Sequence, residues 1–368
     1  MPTGPRSLSS PPVEAKKGRE ILAQRLQRQA SWCGDLGSPF YASLLGSAAE
    51  DLNSEGAVWG VLAGFENEDG HAALALRFMG AMHRLVLMER LPDLAERYPS
   101  VGGDGDARAA WQAFRHALVD RRSEIRDLLP RGCQTNEVGR SAALLGGFLE
   151  IAHRTGKRLR ILELGASAGF NLRWDQYRYE SGAEGAPAGV TDGWGHLESP
   201  VRFINSFDVP PPLDRHVEIV GRKGCDVEPI DPTSAEGSLT LRSFVWADQK
   251  DRFRLLEGAI AVARHLPVEV ERVDAATFLE RELASSRTGV TTVVYHSVFM
   301  QYVDVDGRRR IASALESGAA RATRDGPLAY LRMEPGAQTF EVRLTLWPGG
   351  GDELLALTRA HGTGVRWL

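Results

Sequence analysis

Cysteine is scarce in this chain: 368 residues carry three, Cys33, Cys133 and Cys225, far apart and without CxxC or His-paired spacing. An odd, sparse set of this kind argues against a disulfide framework or a structural zinc site and predicts reduced thiols in a cytoplasmic protein. Long apolar runs are missing too, and nothing approaches the roughly 20 residues of a membrane span. An excess of one charge is also absent. Lys and Arg total 44 against 48 Asp and Glu, a net charge of −4, which gives no broad attraction to nucleic acid or an anionic membrane. The short basic clusters "RTGKRLR" and "DGRRR" read as solvated element ends. Two phosphate-binding signatures are lacking as well, since neither GxGxxG nor GxxxxGK[ST] occurs where the first strand turns into the next element.

What remains is an ordinary globular composition, 43% hydrophobic and 25% charged, in a chain long enough for two domains. Residues 1–18, rich in Pro, Ser and Gly, read as a disordered leader. Residues 19–134 are expected to form an all-helical N-terminal domain, because apolar residues recur there at three- and four-residue spacing between Gly/Pro/Asp breaks. One more helix, "NEVGRSAALLGGFLEIAHRT", with Thr135 or Asn136 as its cap, leads into the second domain, 135–368. Short runs such as "LRILEL", "HVEIVGRK", "VEVERVD", "TTVVYHSV" and "LAYLRM" alternate there with helical stretches. That alternation predicts an α/β fold with a doubly wound, mostly parallel sheet, and the end of the chain reads as an antiparallel hairpin around a Gly-rich turn. A Gly-, Pro- and aromatic-rich insertion at about 176–212 is expected to sit above the sheet's carboxyl edge as a loop, small hairpin or lid.

The stretch "RLRILELGASAGFNLRWD" carries the most chemistry. An apolar strand ends in Glu163, then Gly165, small residues including Ser167, and Gly169, with a helix expected to follow. A bare strand-to-helix turn at the carboxyl edge of an α/β sheet is the place for a ligand. Glu163 would repel the phosphates of NAD or ATP and attract a cation, unless it is simply paired with Arg158 or Arg160. S-Adenosylmethionine, cationic and phosphate-free, fits such a turn.

On these residues "ILELGASAGFNL" resembles motif I of class I S-adenosylmethionine-dependent methyltransferases, with their Rossmann-like fold. From about Phe40 to the C-terminus the chain also resembles the bacterial family named domain of unknown function 2332. That likeness rests on "HRLVLMERLPDLAERYPSVGG", "QTNEVGRSAALL", "LELGASAGFNLRWDQYRY", "GCDVEPIDP", "VWADQ", "VVYHSVFMQYV", "LRMEP" and "LTLWPGG". The methyltransferase resemblance implies that Glu163, Gly165, Ser167 and Gly169 lie under the methionine part of the cofactor. It implies that Asp226 accepts the ribose hydroxyls, with Glu228 and Asp231 as competing choices, and that Asp274 reaches the adenine. Asp274 is equally suited to cap the helix that follows it. His296 closes "TTVVYHSV" at the carboxyl end of a strand and is the first candidate for a general base, with Tyr302, Gln301 and Glu334 in the same region. Asn136, Glu137 and Arg140 are candidates for holding substrate or the amino-acid end of the cofactor, or else form a capped first helical turn. His83 and Trp246 read as core residues, and Asp248 as a helix cap. The expected function is methyl transfer to an O or N atom of a small molecule, with no nucleic acid or membrane partner and a homodimer compatible with the sequence. The alternatives are a protein that binds S-adenosylmethionine or a nucleoside and transfers nothing, and a transferase of another group from the same cofactor.

Overall fold

The computed structural model describes residues 12–68, 73–181 and 193–368. Two compact units divide it, one formed by residues 1–134 with 239–253, the other by 135–238 with 254–368. The expected leader falls partly on residues 1–11, outside the described residues; its remainder is already helical, because α1 spans Pro12–Asp35.

In the first unit α1 is followed by α2 (Pro39–Asn53), α3 (Ala57–Leu62), α4 (Leu74–Leu87), α5 (Pro92–Ala95), α6 (Ala107–Asp120) and α7 (Arg122–Leu128). Their apolar faces share one core that includes Leu44, Phe78, Met82, Phe114 and, from the distant segment, Trp246. Asp248 belongs to the segment 239–253 that groups with this unit. Its carboxylate takes the hydroxyl of Ser38 and the backbone N–H of Phe40 (3.0 Å), so it caps α2, whose own Ser38 makes no side-chain cap. His83 is fully buried between Tyr41 and Ser100, and burial pulls its pKa down to about 4, partly opposed by backbone groups of Ser243 and Val245. It is a neutral core histidine.

The second unit begins with α8 (Arg140–Thr155) and β1 (Arg158–Leu164). Then come β2 (Arg178–Glu180), β3 (Gly193–Gly195), β4 (Arg202–Phe203), β5 (Phe207–Val209) and β6 (Ile219–Asp226). Helices α9 (Ala235–Ser243) and α10 (Lys250–His265) carry the chain into the first unit and back. The remainder is β7 (Glu269–Arg272), α11 (Ala275–Glu282), β8 (Val290–Ser297), α12 (Val305–Arg321), β9 (Leu328–Pro335), β10 (Phe340–Trp347), β11 (Asp352–Thr358) and β12 (Val365–Trp367).

Nine strands form one large sheet in the order β5-β12-β11-β10-β9-β8-β1-β6-β7. The five from β9 to β7 are parallel, β9, β10, β11 and β12 pair antiparallel in succession, and β5 pairs parallel with β12. Strand order therefore reverses at β1, whose neighbours are β6 on one side and β8 on the other. Alternation along the strands sends Leu162, Leu164, Val294 and Leu328 to one face, where they meet Phe278, Leu279 and Leu315 of α11 and α12. α8 covers the other face, and it can do so closely because of "LLGGFL": a Cβ on Gly147 would come within 2.3 Å of Leu331, and one on Gly146 within 2.3 Å of Trp367.

Three expectations need correction here. No α-helix follows β1; Asn171–Gln176 is a short 3-10 helix. Trp174 within it is stacked between Phe148 (4.4 Å) and Trp194 (5.1 Å), and the Tyr177 hydroxyl bonds back to Phe170 O at 2.7 Å, so aromatic packing halts the coil after six residues. The insertion, whose residues 182–192 lie outside the described ones, is not a simple loop or hairpin either. β2, β3 and β4 form a small sheet with Tyr177, Tyr179 and Phe203 buried, and β5 extends the large sheet. Finally, α8 is capped by neither Thr135 nor Asn136; its N-cap is Gly139, without a side-chain bond.

Candidate functional site

The turn after β1 alternates its backbone. Gly165 (φ 66°), Ser167 (φ 51°) and Gly169 (φ 68°) are left-handed. That conformation is free for glycine and costs a serine about 1–2 kcal/mol. The N–H groups of this turn are satisfied one by one within the protein, Ala166 N by Cys225 O at 3.0 Å and Gly169 N by Ala166 O at 2.7 Å. Asp226, the last residue of β6, accepts the Ser167 N–H at 2.9 Å through Oδ2 and the Glu228 N–H at 2.9 Å through Oδ1. Asn136 Oδ1 accepts the Phe170 N–H at 2.8 Å. Asn136 thus holds the turn instead of capping α8.

The two glycines are bare for packing reasons. A Cβ on Gly165 would meet the Phe299 ring at 2.3 Å, and one on Gly169 would meet Val268 and Val270 at 2.9 and 3.1 Å. Ala166, Ser167, Ala168 and Gly169 are buried, which corrects the expectation of a turn lying open to a ligand; Gly165, Asp226, Val298 and Phe299 keep partial exposure. Those four residues are the exposed part of this edge.

Glu163 is paired with neither Arg158 nor Arg160, which bind Glu218 and Glu282. It is 2% exposed, and its Oε2 accepts from the Tyr295 hydroxyl at 3.2 Å. Burial pushes its carboxyl up to about 8, with the hydrogen bonds from Tyr295 and Asn171 pulling down and the charge of Asp226 adding to the rise. At neutral pH it is mainly protonated, so the expected negative charge beside the turn resides on Asp226 instead. Beneath the turn Arg173 donates to Ala168 O (3.2 Å), Gly169 O (2.7 Å) and Leu266 O (2.8 Å), tying it to the chain entering β7.

Asp274 caps α11 through Thr277 N at 3.0 Å and lies 3.4 Å from Arg310. Its neighbour Val273 donates to Asp226 O at 3.1 Å, which brings Asp226 and Asp274 to one edge of the sheet. Glu228 is exposed, and Asp231 binds Thr233 ahead of α9, so Asp226 is the acid that touches the turn. Glu137 Oε1 accepts from Gly139 N at 3.2 Å while its carbonyl takes Asn171 Nδ2 at 3.4 Å. Arg140 donates to Ser297 O at 3.2 Å and Ala360 O at 3.3 Å. Asn136, Glu137 and Arg140 are therefore joined to the turn and to the end of β8.

His296 is 0% exposed. Its Nε2 shares a hydrogen bond with the Tyr330 hydroxyl at 2.7 Å, and its Nδ1 lies 2.8 Å from Glu334 Oε1 without a well-aligned bond. The same Oε1 accepts Phe299 N at 2.9 Å and Met300 N at 3.1 Å. Burial works to raise the Glu334 carboxyl, and His296 with the two amides outweighs it, leaving the group below its ordinary range. Tyr302 is 67% exposed; the phenol that meets His296 belongs to Tyr330. Sequence reasoning passed over Tyr330, Tyr295, Val298 and Phe299. The signal for the first was present: Tyr330, Arg332 and Glu334 put polar groups at period two on one face of a strand. Val298, a β-branched residue at φ 51°, is a rare conformation that only the fold reveals.

These elements define an α/β protein whose candidate site lies where the order of a large, mostly parallel sheet reverses. Residues 23–367 match the model of the family described as an uncharacterized protein conserved in bacteria (DUF2332), and the chain belongs to that family. No curated protein matches it. Among the described residues no helix is long and apolar enough to cross a membrane, and no group of three or more His, Cys, Asp or Glu could hold a metal ion.

Proposed function

We propose that the edge formed by Gly165, Asp226, Val298 and Phe299 binds S-adenosylmethionine, and that the chain transfers its methyl group to an O or N atom of a small molecule in the cytoplasm. The reading takes the β7-β6-β1-β8-β9 half of the sheet as a doubly wound, methyltransferase-type Rossmann core, with the helical unit as a separate N-terminal domain completed by 239–253. One observation carries it: a carboxylate, Asp226, is bonded to the Ser167 N–H of the turn, an acid that a phosphate brought to this edge would meet. That favours an adenosine compound without phosphates over NAD or ATP. Each Asp226 oxygen takes one backbone N–H and keeps capacity for another donor, enough for two ribose hydroxyls.

Bound S-adenosylmethionine supplies an already activated methyl group. What is left to the chain's own residues is placement and exclusion of water. Asp226 orients, Asn136 and Arg173 hold the turn rigid, and Phe299 closes the Gly165 side to solvent. His296 is enclosed, so a base acting on substrate is not offered at that position in this conformation. That burial favours a second reading, a protein that binds the nucleoside and transfers nothing.

Titration calorimetry with S-adenosylmethionine, S-adenosylhomocysteine, NAD and ATP tests the binding. The two phosphate-free ligands are expected to bind and the other two to fail. Asp226→Ala is expected to weaken binding by about 10- to 100-fold, the worth of hydrogen bonds to a charged group. Preference for NAD or ATP ends the proposal. Turnover of labelled methyl groups against a metabolite extract separates enzyme from sensor.

A further inference from the structure

One carboxylate oxygen organises the segment after β8. Glu334 Oε1, on β9, accepts the N–H groups of Phe299 and Met300 and lies against His296 Nδ1. The residue before this pair, Val298, holds a left-handed backbone that a β-branched side chain disfavours, and its own N–H is fixed to Met333 O at 2.8 Å. Two consecutive amides turned toward one acceptor offset that strain. Their consequence lies two strands away from Glu334, at the end of β1: the Phe299 ring is laid against Gly165, so closely that no Cβ fits between them. The ring also packs on the cluster containing Leu164 and Ala275 and lies 5.6 Å from the His296 ring. Met300 and Val303 of the same segment pack on that cluster too, and Phe299 is the one that a Cβ on Gly165 would strike.

We propose that Glu334 is a positioning residue, gripping the Phe299 and Met300 amides so that the Phe299 ring forms the wall against which a ligand at Gly165 and Asp226 lies. This rests on the reading of that edge as a nucleoside site. His296 belongs to the same device: buried between Tyr330 and Glu334, it braces the carboxylate from behind.

The test uses the full chain, with hydrogen exchange followed by mass spectrometry on the peptide spanning 298–303 and calorimetry with S-adenosylhomocysteine. Glu334→Leu removes the acceptor, Glu334→Gln keeps a carbonyl oxygen in its place, and Phe299→Ala removes the wall alone. Exchange over 298–303 is expected to rise at least about tenfold in Glu334→Leu and to be largely restored in Glu334→Gln, as expected when local opening is set by these hydrogen bonds. Affinity is expected to fall about tenfold in both Glu334→Leu and Phe299→Ala, through loss of an ordered contact. In the Phe299→Ala background Glu334→Leu is expected to cost nothing further, because both act through one ring. Unchanged exchange in Glu334→Leu overturns the proposal, and so do additive losses in the double variant. Glu334→Gln tests the grip even if Glu334→Leu unfolds, since full loss of protection there also overturns it. Failure of the unaltered chain to bind the nucleoside, with exchange responding as expected, removes the function reading and the ligand wall together, a result distinct from the other two.

Discussion

Glu163 carries an ordinary carboxyl in the unfolded chain and, enclosed by Tyr295 and Asn171, one that ionises near pH 8 once folded. Between those limits the unfolded chain has released the proton and the folded chain keeps it. Stability from this group is therefore complete below about pH 4.5 and is lost as pH rises through about 8. Glu163→Gln, which keeps an acceptor for the Tyr295 hydroxyl, is expected to flatten that decline, by up to about 1.4 kcal/mol per pH unit across the window. Urea denaturation at a series of pH values reads it directly, and parallel curves for the two proteins would refute it. At Gly165, Ala substitution is expected to cost about 2–4 kcal/mol, from the left-handed backbone and from the Phe299 ring; a Tm within a degree of the original protein contradicts that. The acid and the glycines stood out in the sequence by type and spacing, and Asp226 through the resemblance to methyltransferases. The protonation of Glu163 did not, since it comes from burial, which only the folded chain provides.

Elements were most readable where period and composition agreed. β1, β8 and β9 follow from short apolar runs, β-branched in β8, and α8 and α12 from apolar residues at helical spacing. The 3-10 helix Asn171–Gln176 was unreadable because its limit is set by Phe148 and Trp194, from α8 and β3. The placement of β5 beside β12 was equally hidden, since it joins segments more than 150 residues apart. Close approach of α8 to the sheet depends on two glycines in the middle of a helix, where glycine is otherwise unfavourable by up to about 1 kcal/mol. Gly147→Val is expected to destabilise the chain by about 1–3 kcal/mol or more by forcing Leu331 aside. Thermal unfolding checks this, and an unchanged Tm would mean that α8 does not pack as described.

At the scale of the whole molecule, the division of the chain is not a single cut. Residues 239–253 group with 1–134, and Trp246 among them stacks at 6.2 Å on Tyr41 of α2. The sequence suggested the boundary near residue 134, ahead of the helix that leads into the first strand, but showed no sign of the returning segment, whose helices read like any crossover. A fragment of residues 135–368 is therefore expected to expose Trp246, Ala247 and their neighbours and to aggregate, while the full chain remains dispersed. Size-exclusion chromatography of the fragment decides, and a monomer that unfolds cooperatively contradicts the division.

The central claim concerns Asp226 and the turn it bonds to, and the most direct measurement is a crystal structure of the full chain soaked with S-adenosylhomocysteine. The account predicts nucleoside density at the ends of β1, β6 and β8, with both ribose hydroxyls within hydrogen-bond distance of Asp226 and the Phe299 ring bordering the ligand. Density elsewhere, or an untouched Asp226–Ser167 contact beside a site that accepts only phosphate-bearing nucleotides, would contradict it.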